Sequence, residues 1–304
     1  MDRNIEEIYA GIRELKQKKS AVILVHNYQL PEIQGIADFA GDSLELARKA
    51  ADTDAEIIVF CGVRFMAETA KILSPQKKVL LPREEAGCPM AEMITPSKVL
   101  RMKKQYPQAM VVSYVNTTAD VKAVTDVCCT SANAVEVVKS VEAKEVIFVP
   151  DRNLASWVQK NVPGKRIYPA QGYCYVHEGF TKEHVLSARG KHPNAVLLVH
   201  PECRPEVVDM ADEVLSTSGM LRFAKSSDKK EFIIGTEEGL IWRLKEENPD
   251  KIFYSLGPAR VCANMKLTRI QDVLLALENE QYEVTLSGEI IEKARGALER
   301  MLCV

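Results

Sequence analysis

The sequence predicts an α/β fold of three homologous αβα units with small parallel sheets, arranged around a pseudo-threefold axis. Three observations lead there. Apolar, β-branched runs alternate with helical patterns along the chain. Three strand ends that carry polar residues recur at almost equal intervals. Three cysteines recur at the same intervals.

The runs "AVILV", "EIIVF", "KKVLL", "AMVVSYV", "EVIFV", "AVLLV", "EFIIG" and "KIFYSL" read as buried parallel strands. "SLELARKAA", "AETAKIL", "NAVEVVKS" and "GLIWRLKEE" read as the helices between them. Fixed-period similarity ties these elements into units. "AVILVHNY" from Ala21, "AMVVSYVN" from Ala109 and "AVLLVHPE" from Ala195 align at separations of 88 and 86 residues. His26, Tyr114 and His200 then share one position, and Tyr28, Asn116 and Glu202 another. Seventeen residues after the first of these stands a hydroxyl each time: Ser43, Ser131 and Thr217. Further on, Cys88, Cys174 and Cys262 are spaced by 86 and 88 residues, and a threonine follows each as a helix start, at Thr95, Thr181 and Thr268. The units therefore span 1–92, 93–178 and 179–267. The charged, amphipathic N-terminal segment opens the first, and the tail 268–304 packs back onto it.

Composition limits the function. Apolar residues make up 46% and charged residues 27%, an ordinary globular balance. With 42 acidic and 40 basic side chains the net charge is -2, which argues against a nucleic-acid surface. No apolar run is long enough to span a bilayer, and the N-terminus lacks a signal-peptide core. The expectation is a soluble cytoplasmic protein, in which eight cysteines serve as metal ligands, catalytic groups or core residues rather than disulfides.

Ligands of open parallel sheets bind beyond the carboxyl ends of the strands. His26, Tyr28, Tyr114, Asn116, His200 and Glu202 all fall there, so a threefold arrangement brings them to one cavity. Ser43, Ser131 and Thr217 sit where helix N-caps belong, each cap worth roughly 1 kcal/mol. Helix N-termini converging on one point also favour phosphate or carboxylate, which suggests a multiply anionic substrate. Taken singly, Cys88, Cys174 and Cys262 are ordinary thiols. At equivalent positions of a repeat they converge, and three thiolates suit either zinc with a water or a [4Fe–4S] cluster with one iron free of protein.

The remaining cysteines read differently. Cys61 belongs to a strand core, Cys303 is incidental, Cys128 and Cys129 are buried thiols, and Cys203 is a candidate to line the cavity without being a ligand. His177 is near enough to Cys174 to support it, whereas His184 and His192 read as surface histidines. Glu237 and Asn153 read as turn or capping residues.

The segments "HNYQLPEIQGIADFAGDSLELAR", "MAETAKIL", "AGCPMAEM", "YVNTTADVKA", "CTSANAVEVV", "PDRNLA", "HPEC" and "NMKLT" resemble the quinolinate synthase family. The resemblance runs from about His26 to Thr268 and takes in motifs from all three repeats. It implies a [4Fe–4S] cluster held by Cys88, Cys174 and Cys262, with an open iron acting as Lewis acid. It implies condensation of iminoaspartate with dihydroxyacetone phosphate to quinolinate, with loss of phosphate and water, in de novo NAD biosynthesis. The substrate-contacting positions it implies are His26, Tyr28, Ser43, Tyr114, Asn116, Ser131, His200, Glu202 and Thr217. Some relatives carry extra cysteines near the last ligand, but "RVCANMK" has Cys262 alone, which argues against a regulatory disulfide there. Within this set, Glu202 and His200 suit general acid–base work and Tyr28 suits proton shuttling. The instability of iminoaspartate adds a transient contact with the enzyme that makes it as an expected partner. A non-catalytic iron–sulfur sensor has no use for so many polar side chains beside the thiols, and a zinc enzyme on the same scaffold is separable by its metal.

Overall fold

The computed structural model describes residues 4–304; Met1 to Arg3, the start of the N-terminal segment, lie outside the described residues. Twelve strands among the described residues form three four-stranded, wholly parallel sheets. The first contains β1 (Ala21–His26), β2 (Phe39–Gly41), β3 (Ile57–Cys61) and β4 (Lys78–Leu80) in the order β2-β1-β3-β4. The second contains β5 (Met110–Tyr114), β6 (Val127–Cys129), β7 (Glu145–Val149) and β8 (Arg166–Pro169) in the order β6-β5-β7-β8. The third repeats this with β9 (Val196–Val199), β10 (Glu213–Val214), β11 (Glu231–Gly235) and β12 (Ile252–Ser255) in the order β10-β9-β11-β12.

The helices repeat as well. α1 (Ile5–Lys18), α2 (Pro31–Gln34), α3 (Ser43–Asp52), α4 (Arg64–Leu73) and α5 (Pro89–Glu92) surround the first sheet. α6 (Pro96–Gln105), α7 (Ala119–Lys122), α8 (Ala134–Ser140), α9 (Arg152–Asn161) and α10 (Tyr175–Glu178) accompany the second. α11 (Lys182–Lys191), α12 (Pro205–Val208), α13 (Thr217–Ser226) and α14 (Gly239–Glu247) accompany the third. A 3-10 turn (Met265–Leu267), α15 (Ile270–Asn279) and α16 (Gly288–Leu302) complete the chain.

The two-residue period of a strand decides where each side chain goes. In β1, Ile23 and Val25 enter an outer core with Ile8 and Ile12 of α1, whereas Val22 and Leu24 enter a core shared by all three sheets. In β5, Val111 faces outward, and Val112 and Tyr114 join the shared core. In β9, Leu197 and Val199 face outward and Leu198 inward. Burying such a side chain contributes about 1.5–3 kcal/mol, so a one-residue register slip in any central strand is heavily disfavoured. The same parity carries the position shared by His26, Tyr114 and His200 to the inward face.

The strands β2, β6, β8 and β10 were not among the eight apolar runs. They are two to four residues long and show no alternation of their own. Three of them are set by aspartates that share a repeat position. Asp38, Asp126 and Asp212 accept the backbone N–H of Ile23, Val111 and Leu197 at 2.8, 2.7 and 2.7 Å. Their own N–H groups donate to the carbonyls of the same three residues. Each aspartate thus clamps the entry of an edge strand to its central neighbour.

The tail divides its packing. Ile270, Val273, Leu274 and Leu277 of α15 join the outer core of the first sheet. Residues 282–284 pair antiparallel with the free edge of β4 and cover it. α16 instead straddles the first and second sheets: Arg295 donates to the Ile72 carbonyl, while Met301 and Asp126 offer carbonyls to Asn133 and Arg300. The last helix start also differs from the threonine pattern. Thr95 and Thr181 are N-caps, but α15 begins after Arg269, one residue beyond Thr268.

Candidate active site and metal centre

One cavity of about 70 Å³ lies where the three sheets meet, beyond the carboxyl ends of β1, β5 and β9. Its wall contains His26, Tyr28, Ser43, Cys88, Tyr114, Asn116, Ser131, Cys174, His200, Glu202, Thr217 and Cys262. Every site residue expected from the sequence therefore faces the same space. Val63, Phe65, Met66, Met90, Val176 and Met265 supply its apolar surface.

The strand-end motif builds the same turn twice. The Tyr28 N–H donates to His26 Nδ1 at 3.2 Å, and the Glu202 N–H donates to His200 Nδ1 at 3.4 Å. An imidazole that accepts at Nδ1 carries its proton on Nε2 when neutral. Burial, with His200 and Lys266 nearby, lowers His26 to about 3, so it is neutral at physiological pH. Burial, then His177, lowers His200 against the pull of Glu202. His26 thus presents an Nε2–H donor, and His200 Nε2 lies 3.1 Å from Ser131 Oγ while its Nδ1 faces both the Glu202 N–H and the Glu202 carboxylate.

The hydroxyls are displaced from the expected capping role. The N-cap of α3 is Asp42, which accepts the Leu44 and Glu45 N–H groups, and the N-cap of α13 is Ser216, which accepts from Gly219. Ser43 and Thr217 sit one residue further in. Ser131 precedes α8 by three residues, and that helix begins after Asn133. Capping therefore leaves all three free to face the cavity. Thr217 Oγ1 accepts from Asn27 Nδ2 at 2.9 Å and keeps its own proton to donate. Asn116 Oδ1 is buried with no hydrogen-bond partner among the described residues, which leaves an acceptor available to a ligand.

A polar string crosses the cavity wall. The Tyr28 hydroxyl lies 2.6 Å from Thr236 Oγ1 and 3.3 Å from His177 Nε2, and His177 Nε2 is 2.9 Å from the same threonine. His177 Nδ1 is 2.6 Å from Glu202 Oε2, and the His177 and His200 rings stack with centroids 4.5 Å apart. Burial alone would raise the Glu202 carboxyl, but the flanking imidazoles of His177 and His200 together hold it below the usual carboxylate range. Burial raises the Tyr28 and Tyr114 hydroxyls well above their ordinary value, and Glu202 adds to both. His177 thus stands between Tyr28 and Glu202, with Nε2 toward the hydroxyl and Nδ1 toward the carboxylate.

His177 is more than the neighbour of Cys174 that the sequence suggests. No shared chemistry marks its repeat position, where Ala91 and Met265 stand in the other units. Its signal was local: it stands three residues after Cys174, on the same face of α10. Cys203 was expected as a wall candidate and is not part of the wall. Its thiol lies in the outer core of the third unit, directed at the Gly235 carbonyl. Glu237 and Asn153 also do more than cap. Glu237 accepts the Cys262 N–H at 3.0 Å, and Asn153 donates to the Glu202 carbonyl at 3.0 Å. His184 accepts its own helix's Thr181 N–H, and His192 stacks on Tyr254.

Cys88, Cys174 and Cys262 are free and half-buried, and all three line the cavity. Each of their loops is latched by an equivalent backbone bond. The Arg64, Arg152 and Glu238 N–H groups donate to the carbonyls of Ala86, Gly172 and Arg260, two residues before each cysteine, at 2.8, 2.9 and 2.9 Å. Gly172 has no alternative, since a Cβ there would sit 2.6 Å from the Pro150 carbonyl oxygen. Burial pushes the Cys88 thiol up to about 12, with Cys262 contributing, and raises Cys174, with Glu202, Cys88 and Cys262 contributing. Three thiols from three repeats lining one cavity offer the soft donors that a thiolate-bound metal centre needs. Among the described residues the one group whose ligand atoms all lie within 4.8 Å of one another is Cys174, His177 and Glu202, in which His177 and Glu202 already face each other; the three thiols do not form so tight a group.

Fold and site together describe a three-repeat α/β protein with a thiol trio beside an acid–base cluster, in one cavity that the first residues of α3 and α13 help to line. The family model for quinolinate synthetase A protein matches residues 10–303. The quinolinate synthase of Thermodesulfovibrio yellowstonii is 53% identical, over 99% of this chain and 98% of its own length. That of Dehalococcoides mccartyi is 54% identical over 98% and 99%, and that of Caldicellulosiruptor saccharolyticus 52% identical over 98% and 99%. The chain belongs to the quinolinate synthetase A family.

Proposed function

We propose that this protein is a quinolinate synthase that condenses iminoaspartate with dihydroxyacetone phosphate, releasing phosphate and water, for NAD biosynthesis in the cytoplasm. The observation that supports it most is the presence of three thiols and the Tyr28–His177–Glu202 string in one cavity. Cys88, Cys174 and Cys262 would hold a [4Fe–4S] cluster. When bound, a three-thiolate cluster supplies an open iron that acts as a Lewis acid toward substrate oxygen and nitrogen. The chain's own residues supply binding and proton movement. Ser43 and Thr217, in the first turns of α3 and α13, donate toward phosphate or carboxylate oxygens where the helix dipoles favour negative charge. His26 Nε2–H, Tyr114 and Asn116 orient the carbon chain, and Ser131 steadies His200.

Condensing the amine with the carbonyl, eliminating phosphate and closing the ring each require a proton to leave carbon or nitrogen and another to reach a departing oxygen. Glu202, ionised and flanked by His177 and His200, serves as the base. Tyr28, bonded to His177, returns the proton. The apolar wall limits water and so protects iminoaspartate from hydrolysis. Direct transfer from the enzyme that makes iminoaspartate would serve the same end. Among the described residues no helix is long and apolar enough to cross a membrane. The test is turnover: anaerobically prepared protein given dihydroxyacetone phosphate and freshly generated iminoaspartate should form quinolinate. Absence of product with an iron-loaded protein would overturn the assignment.

A further inference from the structure

The three cysteine loops are alike in backbone but differ in what supports them. The residue two positions after the end of β3, β7 and β11 shares one repeat position, occupied by Val63, Asp151 and Glu237. In the second unit Asp151 is fully buried and uses its two oxygens separately. Oδ1 accepts the Leu154 N–H of α9 at 2.7 Å, and Oδ2 accepts the Cys174 N–H at 3.2 Å. In the third unit the longer Glu237, also fully buried, does the same. Oε2 accepts the Gly239 N–H of α14 at 2.7 Å, and Oε1 accepts the Cys262 N–H at 3.0 Å. Lys266, 3.1 Å from the Glu237 carboxylate, also donates to the Tyr28 carbonyl, so this strut reaches the cavity wall. Val63 offers no acceptor in the first unit, where the Cys88 loop keeps the shared backbone latch and the Arg64 side chain donates to the Glu84 carbonyl.

We propose that Asp151 and Glu237 are positioning residues for the metal centre, each a two-pronged strut that ties a thiol-bearing loop to the N-terminus of its unit's second-layer helix. The proposal rests on the reading that Cys88, Cys174 and Cys262 hold a metal. A carboxylate suits the task because it gives each of two N–H groups its own acceptor oxygen. An amide keeps one acceptor and turns an N–H₂ group toward the other donor, and alanine supplies neither. Outer-shell groups of this kind fix ligand direction, and their loss typically weakens metal binding. By holding the Cys174 and Cys262 N–H groups, the struts also fix the backbone from which each sulfur projects toward its neighbouring donors. Hydrogen bonds to cluster sulfurs are among the factors that set a cluster's electronic properties.

The test compares anaerobically iron-loaded wild-type protein with Asp151→Ala, Asp151→Asn, Glu237→Ala, Glu237→Gln and Ser287→Ala. Ser287 caps α16 through the Ile290 N–H, and among the described residues it makes no hydrogen bond to a cysteine loop, so its variant reports the effect of losing a cap. The first readout is the rate of iron release to a chelator. The second is the electron paramagnetic resonance spectrum of the reduced centre. The alanine variants should release iron roughly 10–100-fold faster than wild type, and their reduced spectra should change. Asn and Gln should fall between alanine and wild type, and Ser287→Ala should match wild type in both readouts. Alanine variants that release iron within twofold of wild type and keep its spectrum would overturn the proposal. So would Ser287→Ala releasing iron as fast as they do. If an alanine variant does not fold, the Asn and Gln variants decide the matter by the same criteria. Wild-type protein that takes up no iron would remove the metal reading itself, and this proposal with it.

Discussion

Replacing Glu202 by Gln preserves the volume of a side chain that is 2% exposed while removing its charge and its ability to take up a proton. The carboxylate lies 2.6 Å from His177 Nδ1 and 3.4 Å from His200 Nδ1, and faces the Tyr114 hydroxyl. The amide can still turn its Oε1 toward His177 Nδ1, but it cannot take up the proton that the string would deliver. Removing a general base slows turnover by about 10²–10⁴-fold, equivalent to about 3–5 kcal/mol of barrier. Glu202 carries no thiol, so iron content should stay at the wild-type level. The assay is steady-state quinolinate formation together with iron per chain on the same anaerobic sample. A kcat within tenfold of wild type would remove Glu202 as the base. Loss of iron in this variant would show that it supports the metal instead.

Four further outcomes are expected. Replacing Cys88, Cys174 or Cys262 by Ser should abolish iron retention, whereas Cys303→Ser and Cys203→Ala should keep full iron, as metal analysis would show. His177→Phe should lower kcat by about 10²-fold or more while leaving the iron in place, measured by the same paired assay. Asp126→Ala orphans the buried Val111 N–H and should cost about 1–3 kcal/mol, seen as a lower urea midpoint. Glu280 is held down to about 2 by hydrogen bonds from Lys19 and Lys78, which tie the tail to the first unit. Because its folded value lies below the unfolded 4.5, its contribution is full above that pH and is lost as pH falls toward 2. Glu280→Gln should therefore lower stability by at most about 1 kcal/mol at neutral pH, and the gap should close in acid.

The central strands were legible because β1, β5 and β9 are long enough to show their apolar character and end abruptly in polar residues. The edge strands were not, since "FAG" or "EV" owes its conformation to a neighbour and to an aspartate clamp rather than to its own pattern. The clamps were visible in principle, because Asp38, Asp126 and Asp212 keep the same 88 and 86 spacing as the site residues. Residues that repeat as a type were found: the strand-end pairs, the hydroxyls and the thiols. Their roles shifted by a single position where two polar residues adjoin, as in Asp42-Ser43 and Ser216-Thr217, where either could cap. His177 and the Asp151 and Glu237 struts escaped because only one or two units carry them. Cys203 was misjudged because sequence proximity to Glu202 does not show that its thiol turns to the outer core.

The proposed chemistry requires three thiols from three repeats to share one metal centre. Iron and acid-labile sulfide measured on anaerobically purified protein test this directly. About four of each per chain, with broad visible absorption, is the predicted result; a colourless protein carrying one zinc per chain would contradict it.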